Sequence, residues 1–104
     1  MSYQVKLTRE AEEDLLRLYD FLIEQALSQD GDLTLAERAL VAIEQAFRWL
    51  ELTPFTCRKA DRSPFLRELI IPFGSAGYVA LFEIVDGQNV VIGAVRHQRE
   101  SDYH

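Results

Sequence analysis

The spacing of the apolar residues changes at Pro54 from helical to strand-like, and this change limits the folds that are available to the chain. Before Pro54, apolar residues recur at helical spacing in two segments. After it, three runs are rich in β-branched and aromatic residues, as β-strands are. Helices followed by strands predict an α+β domain, with a helical hairpin packed on a small, mostly antiparallel sheet.

A short strand and a capped helix are predicted at the start of the chain. Residues Tyr3 to Leu7 alternate between apolar and polar side chains, which favours a strand. Thr8 is then the predicted N-cap, since its hydroxyl can accept a free backbone N–H of the first turn. The helix that follows is predicted to end near Ser28. Its apolar face is Ala11, Leu15, Leu18, Leu22 and Ala26, widened by Tyr19 and Ile23.

A turn at residues 29–32 and a second helix complete the predicted hairpin. Thr34-Leu35-Ala36-Glu37 matches a capping box, which indicates a new helix start. Because Pro54 cannot continue a helix, this one is predicted to stop around Thr53. Two helices joined by so short a turn lie antiparallel. The apolar face of the second helix is Ala39, Leu40, Ile43, Ala46, Phe47 and Leu50.

The remaining half of the chain predicts an irregular connection, Pro54–Pro64, and three strands. Asp86-Gly87 is a strong hairpin signal between the last two strands. The strands are predicted at Leu66–Ile71, at Tyr78–Val85 and from Val90 to about Arg96, with Gly74-Ser75-Ala76-Gly77 linking the first two. The predicted order is therefore β-α-α-β-β-β, in one domain of residues 1–104.

The charge is unevenly distributed over the 104 residues, which carry a net charge of −6. From Thr8 to Thr53 there are 11 acidic and four basic residues, whereas from Pro54 onward there are six of each. Phosphate contacts need clustered Lys and Arg, so this composition argues against general nucleic-acid binding.

Several other classes of protein are excluded by simple counts. No apolar run approaches the ~20 residues that span a bilayer, and the N-terminus lacks the layout of a signal peptide. Cys57 is the single cysteine and cannot form an internal disulfide. With His97 and His104 it makes no spaced set for zinc, so we expect no metal and no cofactor. A cytoplasmic protein without a membrane contact is predicted.

The C-terminal half resembles a known pattern. The resemblance is carried by two segments, Gly77 to Gly87 and Val90 to Tyr103. The second segment has Val95-Arg96-His97-Gln98-Arg99-Glu100 at its centre. Together with the order of the elements, these residues resemble the RelE/ParE superfamily of type II toxin–antitoxin modules, and within it the ParE-like (plasmid stabilisation) branch. The resemblance implies a small toxin that a cognate antitoxin neutralises. Any DNA contact would come from the antitoxin, so no sequence-specific DNA binding by this chain is expected.

The superfamily holds two activities, and the residues favour one of them. RelE-like members cleave messenger RNA on the ribosome and are expected to carry Lys on the second strand and Arg after the Gly-Tyr of the third. Here the second strand reads Arg67-Glu68-Leu69-Ile70-Ile71-Pro72, and Val79 follows Tyr78. ParE-like members inhibit DNA gyrase through protein binding, which needs no catalytic set. A gyrase inhibitor is therefore preferred. The enzymatic alternative is an endoribonuclease using Arg96, Arg99 and Tyr103.

Each candidate binding residue can also be explained by a purely structural role. The residues in question are Arg67, Arg96, His97, Arg99 and Tyr103, together with the basic connection Arg58, Lys59 and Arg62. The end of the last strand could equally be a charged end that blocks edge pairing. Arg67 could form a surface pair with Glu68 or Glu83, and the basic connection could be a solvated loop. Basic neighbours could favour the Cys57 thiolate, although a partly buried, inert thiol is the preferred interpretation.

Overall fold

The computed structural model describes residues 2–28, 33–74 and 76–98 of the chain. The predicted turn at residues 29–32 lies outside them, as do Ser75, Arg99 and Tyr103. The elements are β1 (Gln4–Leu7), α1 (Arg9–Ser28), α2 (Thr34–Leu50), a 3₁₀ turn (Pro54–Thr56), β2 (Arg58–Lys59), β3 (Leu66–Phe73), β4 (Ala76–Ile84) and β5 (Asn89–His97). The predicted α+β class is confirmed.

The strands form one mixed sheet in the order β1-β5-β4-β3-β2. β1 pairs parallel to β5, with Val5 opposite Val90, and the other pairs are antiparallel. The predicted Asp86-Gly87 turn joins β4 to β5. In this turn the Asp86 carboxylate accepts the backbone N–H groups of Gln88 and Asn89. These hydrogen bonds hold the pKa of Asp86 below its ordinary value.

Thr8 connects the start of α1 to the sheet. Its hydroxyl accepts the backbone N–H of Ala11 at 3.1 Å, as predicted for an N-cap, and donates to the Gly93 carbonyl at 3.3 Å. Its own N–H donates to the Ile92 carbonyl at 2.9 Å. The same residue therefore ends β1, caps α1 and fixes both against β5.

The core lies between the two helices and one face of the sheet. The predicted apolar faces of both helices supply it, and β1, β3, β4 and β5 add alternate side chains, because successive residues of a strand point to opposite faces. The buried residues of this core cluster are Ala11, Leu18, Ala39, Ile43, Phe47, Leu50, Leu69, Ile71, Tyr78, Ala80, Phe82, Ile84, Val90, Ile92 and Val95. Among the described residues, no helix is both long enough and apolar enough to cross a membrane.

The strand limits differ from the predicted ones by one or two residues, and β4 begins at Ala76, inside the predicted link of residues 74–77. Three further differences concern α2 and the connection that follows it. α2 ends at Leu50 rather than at Thr53, because Glu51 to Thr53 already form a turn before Pro54. Leu33 occupies the N-cap position of α2 and supplies no side-chain cap, so Thr34 is the first helical residue instead of the capping residue. The connection predicted as irregular contains β2, which pairs with Glu68 and Arg67 of β3.

Candidate functional site

Arg96, near the end of β5, is held in an ion pair with Asp14 of α1. The same carboxylate oxygen, Oδ2 of Asp14, accepts the backbone N–H of Val95 at 3.0 Å. The parallel pairing with β1 ends at Ile92, so Asp14 takes the place of a strand partner for Val95. The Asp14 side chain is 13% exposed and that of Arg96 is 34% exposed. The guanidinium of Arg96 thus joins a helix to the sheet.

His97, the last residue of β5, belongs to a cluster of rings. Its imidazole lies perpendicular to the ring of Tyr78, with 5.6 Å between the centroids, and Tyr78 also contacts Phe73 at 6.2 Å. Tyr78 is buried, and this burial raises the pKa of its phenol. The half-buried imidazole of His97 therefore packs against aromatic side chains at one end of the sheet.

Arg67 is bound by backbone carbonyl groups rather than by a glutamate. Its Nε donates to the carbonyl of Pro64 at 2.6 Å, and its Nη1 donates to Cys57 at 2.8 Å and to Phe55 at 3.3 Å. The guanidinium also lies over the Phe55 ring, 5.2 Å from its centroid. Arg67 therefore fastens the connection between α2 and β3 to the sheet. Neither Glu68 nor Glu83, the two predicted alternatives, is its partner in these contacts.

The basic connection is exposed along one edge of the sheet. Arg58 of β2 donates to Glu68 at 2.8 Å, while Lys59 and Arg62 are exposed. Glu68 is thus the partner of Arg58. The connection thus exposes positively charged side chains to solvent. Its backbone is held in place by the pairing of β2 and by Arg67.

The structure does not bring the predicted residues into one cluster. Arg58 and Lys59 lie on β2, whereas Arg96 and His97 lie on β5, and two strands separate β2 from β5. Strands are ~4.8 Å apart, so about 14 Å of sheet lies between the two groups. Arg99 and Tyr103 are outside the described residues. A single catalytic constellation of Arg96 with Arg99 and Tyr103 therefore stays a prediction.

Cys57 is half-buried within the connection between α2 and β3. Burial raises the pKa of its thiol, and the Arg67 guanidinium offsets only part of that effect. The thiol is thus kept protonated at neutral pH, which agrees with the predicted inert thiol and not with an activated thiolate. Within residues 2–28, 33–74 and 76–98, no three His, Cys, Asp or Glu side chains are grouped closely enough to hold a metal ion.

The open face of the sheet, which is turned away from the helices, was not predicted from the sequence. Leu66, Ile70 and Leu81 lie on it and are 37%, 39% and 41% exposed. A groove of about 460 Å³ runs between the connection and β5, and its apolar lining includes Leu66, Leu81, Val91 and Ala94. The signal for this face was present, because β3 and β4 are apolar at consecutive positions where a one-sided strand would alternate.

This chain matches a family model in sequence and solved structures in fold. A family model described as the ParE toxin of the type II toxin–antitoxin system parDE matches residues 5–102. Among curated proteins, no sequence is significantly similar to this chain.

Two solved structures share the fold. A chain of the chromosomal ParDE toxin–antitoxin system from P. aeruginosa has a TM-score of 0.70 and 20% identity, covering 92% of this chain and 96% of that one. A chain of the toxin–antitoxin complex RelBE2 from Mycobacterium tuberculosis has a TM-score of 0.60 and 23% identity, covering 93% and 99%. At these identities the two structures establish the similarity of fold alone.

Proposed function

Since this chain belongs to the ParE toxin family of type II toxin–antitoxin systems, we propose that it inhibits DNA gyrase through protein binding. We further propose that a cognate antitoxin neutralises it. Similar chains occur in a ParDE system and in a RelBE2 complex, which supports an antitoxin as its partner. Action on gyrase would take place in the cytoplasm.

The observation that carries this proposal is that the arginines on the sheet are already bound to other groups of the protein. Cleavage of RNA by a metal-free site needs cations that face the phosphate and offset the charge that develops on its oxygens. Arg96 is paired with Asp14, Arg58 with Glu68, and Arg67 is bound to three carbonyl groups. To act on a phosphate, Arg96 and Arg67 would first have to leave contacts that support the fold, and Arg58 would have to leave its surface pair with Glu68. A surface that binds another protein makes no such demand.

The overall charge supports the same preference. A net charge of −6 opposes approach to the phosphates of ribosomal RNA. It does not oppose contact with a protein surface, for which local complementarity matters more than net charge. The exposed basic connection and the apolar open face of the sheet are the two surfaces that we assign to target or antitoxin contact.

Inhibition of purified gyrase tests this proposal. Relaxed plasmid, gyrase and ATP are incubated with the purified chain, and supercoiled product is measured on agarose gels. We expect the chain to inhibit supercoiling and an equimolar amount of the antitoxin encoded beside it to restore the reaction. Gyrase that supercoils normally at every concentration of a folded, growth-inhibiting chain would contradict the proposal. Cleavage of messenger RNA on purified ribosomes by that chain would establish the endoribonuclease alternative.

Charge reversals then test the basic connection. Lys59→Glu combined with Arg62→Glu should raise the concentration needed for half-inhibition at least tenfold. Arg38→Glu combined with Arg48→Glu makes the same charge change on the exposed surface of α2 and serves as the control. An equal response of both pairs would indicate that the connection has no specific role in inhibition.

A further inference from the structure

Helix α1 exposes large apolar side chains on the face opposite the core. Leu16, Phe21 and Leu27 are 64%, 54% and 70% exposed. None of them belongs to the apolar stripe that packs on the sheet, and Ala11 and Leu18 of that stripe are buried. A helix that needs one apolar stripe to fold has no structural use for a second set of exposed apolar side chains.

The three side chains lie along one continuous strip of the surface. Two shallow depressions run along α1, with volumes of about 480 Å³ and 490 Å³. Leu16 lines the first, Leu27 lines the second, and Phe21 lines both. From Leu16 to Leu27 the helix rises about 16 Å, at 1.5 Å per residue. The strip is therefore long enough for about three turns of a second helix.

Carboxylates lie within and beside this strip. α1 carries six acidic and two basic residues, a net charge of −4. Among the residues that line the depressions, Glu13 lies 3.7 Å from Arg9. Arg17, a base in the same lining, lies 3.6 Å from Asp14, which is outside it. Asp20 and Glu24 form no ion pair with another residue of the described part of the chain. The two central carboxylates of the strip are thus available to a partner.

We propose that this strip, defined by Leu16, Asp20, Phe21, Glu24 and Leu27, binds a basic amphipathic segment of the cognate antitoxin. The inference rests on the proposed function for the existence of that partner. Its chemistry follows from charge complementarity: apolar side chains of the segment cover Phe21 and the two leucines, and Lys or Arg side chains reach Asp20 and Glu24. A second copy of this chain that used the same strip would bring like charges together, and a nucleic acid would be repelled.

A pair of charge reversals tests the proposal. Purified antitoxin, obtained from the reading frame beside this chain, is titrated into the chain at 150 mM salt, and the dissociation constant is measured by calorimetry. At this ionic strength exposed charges act over about 8 Å, so only nearby groups contribute. We expect Asp20→Lys with Glu24→Lys to weaken binding at least tenfold. Glu44→Lys with Glu51→Lys makes the same charge change at other exposed positions and should change binding less than twofold.

The apolar part of the strip is tested separately. Phe21→Ser with Leu27→Ser removes two exposed side chains, so the fold is expected to survive, which circular dichroism and the melting temperature verify. Antitoxin binding should again weaken at least tenfold. The strip assignment is overturned if both double variants bind antitoxin as the unchanged protein does, and the proposed function then still stands. It is also overturned if the variants lose gyrase inhibition while antitoxin binding is unchanged, because the strip would then contact the target. An unchanged chain that binds no antitoxin would overturn this inference together with the proposed partner.

Discussion

Asp14 gives the clearest example of how one side chain determines the position of a functional candidate. Its carboxylate binds both the backbone N–H of Val95 and the guanidinium of Arg96. Arg96 is a site candidate in the sequence, where a basic residue at the end of a strand suggests a phosphate contact. In the structure its guanidinium forms an ion pair with a carboxylate on α1. Arg96 is thereby a residue that supports the fold in addition to any contact it makes with a partner.

Replacing Asp14 should therefore destabilise the protein. Asp14→Ala leaves the Val95 N–H and the Arg96 guanidinium without their shared acceptor, which we expect to lower the free energy of unfolding by about 2 kcal/mol. Urea denaturation followed by circular dichroism measures this change. Asp20→Ala, an exposed position on the same helix, is the control and should cost less than ~0.5 kcal/mol. Equal effects of the two substitutions would mean that Asp14 has no role as an acceptor.

Arg67 yields a second prediction at the scale of a single residue. Arg67→Lys keeps the positive charge but cannot reach three carbonyl groups from one planar fork. We expect trypsin to cleave the connection at Arg58, Lys59 or Arg62 at least fivefold faster, because the backbone there is no longer fastened to β3. Arg38→Lys, on the exposed surface of α2, should leave cleavage of the connection unchanged. Cleavage at the original rate in the Arg67 variant would indicate that its charge alone is sufficient.

These partners could not be predicted from the sequence, for a physical reason. Arg96 and Asp14 are 82 residues apart, and nothing local indicates that a helix side chain will take the place of a strand partner. The acceptors of Arg67 are backbone carbonyl groups of a connection without regular structure, and every residue type carries such a group. The sequence shows which residues are basic, but the groups that these residues bind are determined by the tertiary structure.

At the scale of elements, the hairpin of β3 and β4 depends on Gly77. This residue has φ of +140°, and a Cβ at this position would lie 2.3 Å from the Ile71 carbonyl oxygen. Its own carbonyl accepts the backbone N–H of Gln98 at 2.9 Å. The backbone of β3 thus approaches β4 more closely than any side chain at this position would allow.

A methyl group at this position should disrupt the hairpin. We expect Gly77→Ala to lower the free energy of unfolding by about 3 kcal/mol, through strain and through displacement of β3. Gly87→Ala is the matched control, because open space surrounds Gly87. Thermal melts of both variants measure the difference. A Gly77 variant that is as stable as the Gly87 variant would contradict the close approach of the two strands.

The order of the elements was predictable because each one has a strong local pattern. Helical spacing located α1 and α2, Thr8 located the start of α1, and Asp86-Gly87 located the last hairpin. The parallel pairing of β1 with β5 was not predicted, since it joins the two ends of the chain and no local signal specifies it. β2 has only two residues, which is too short for a periodic pattern. The pairing shift that leaves Gly93 between the partners of Leu81 and Phe82 was also missed, although a glycine inside a strand often marks a bulge.

At the scale of the whole molecule, the charge is distributed unevenly. Most of the negative charge lies on the helical hairpin, whereas the half of the chain from Pro54 onward is balanced and carries the basic connection. The molecule therefore offers two chemically different surfaces. The acidic strip on α1 suits a basic segment, and the basic connection beside the open sheet face suits an acidic or apolar one. Two such surfaces would allow an antitoxin and a target to contact different parts of one small protein.

Pulse-labelling of growing bacteria is the most direct test of the central claim that this ParE-family chain acts on gyrase. The chain is induced without its antitoxin, and incorporation of labelled thymidine and methionine is followed over the next minutes. We predict that thymidine incorporation falls first while methionine incorporation persists, because gyrase inhibition stops replication before translation. A collapse of methionine incorporation within minutes, with DNA synthesis continuing, would contradict this account and identify the ribosome as the target.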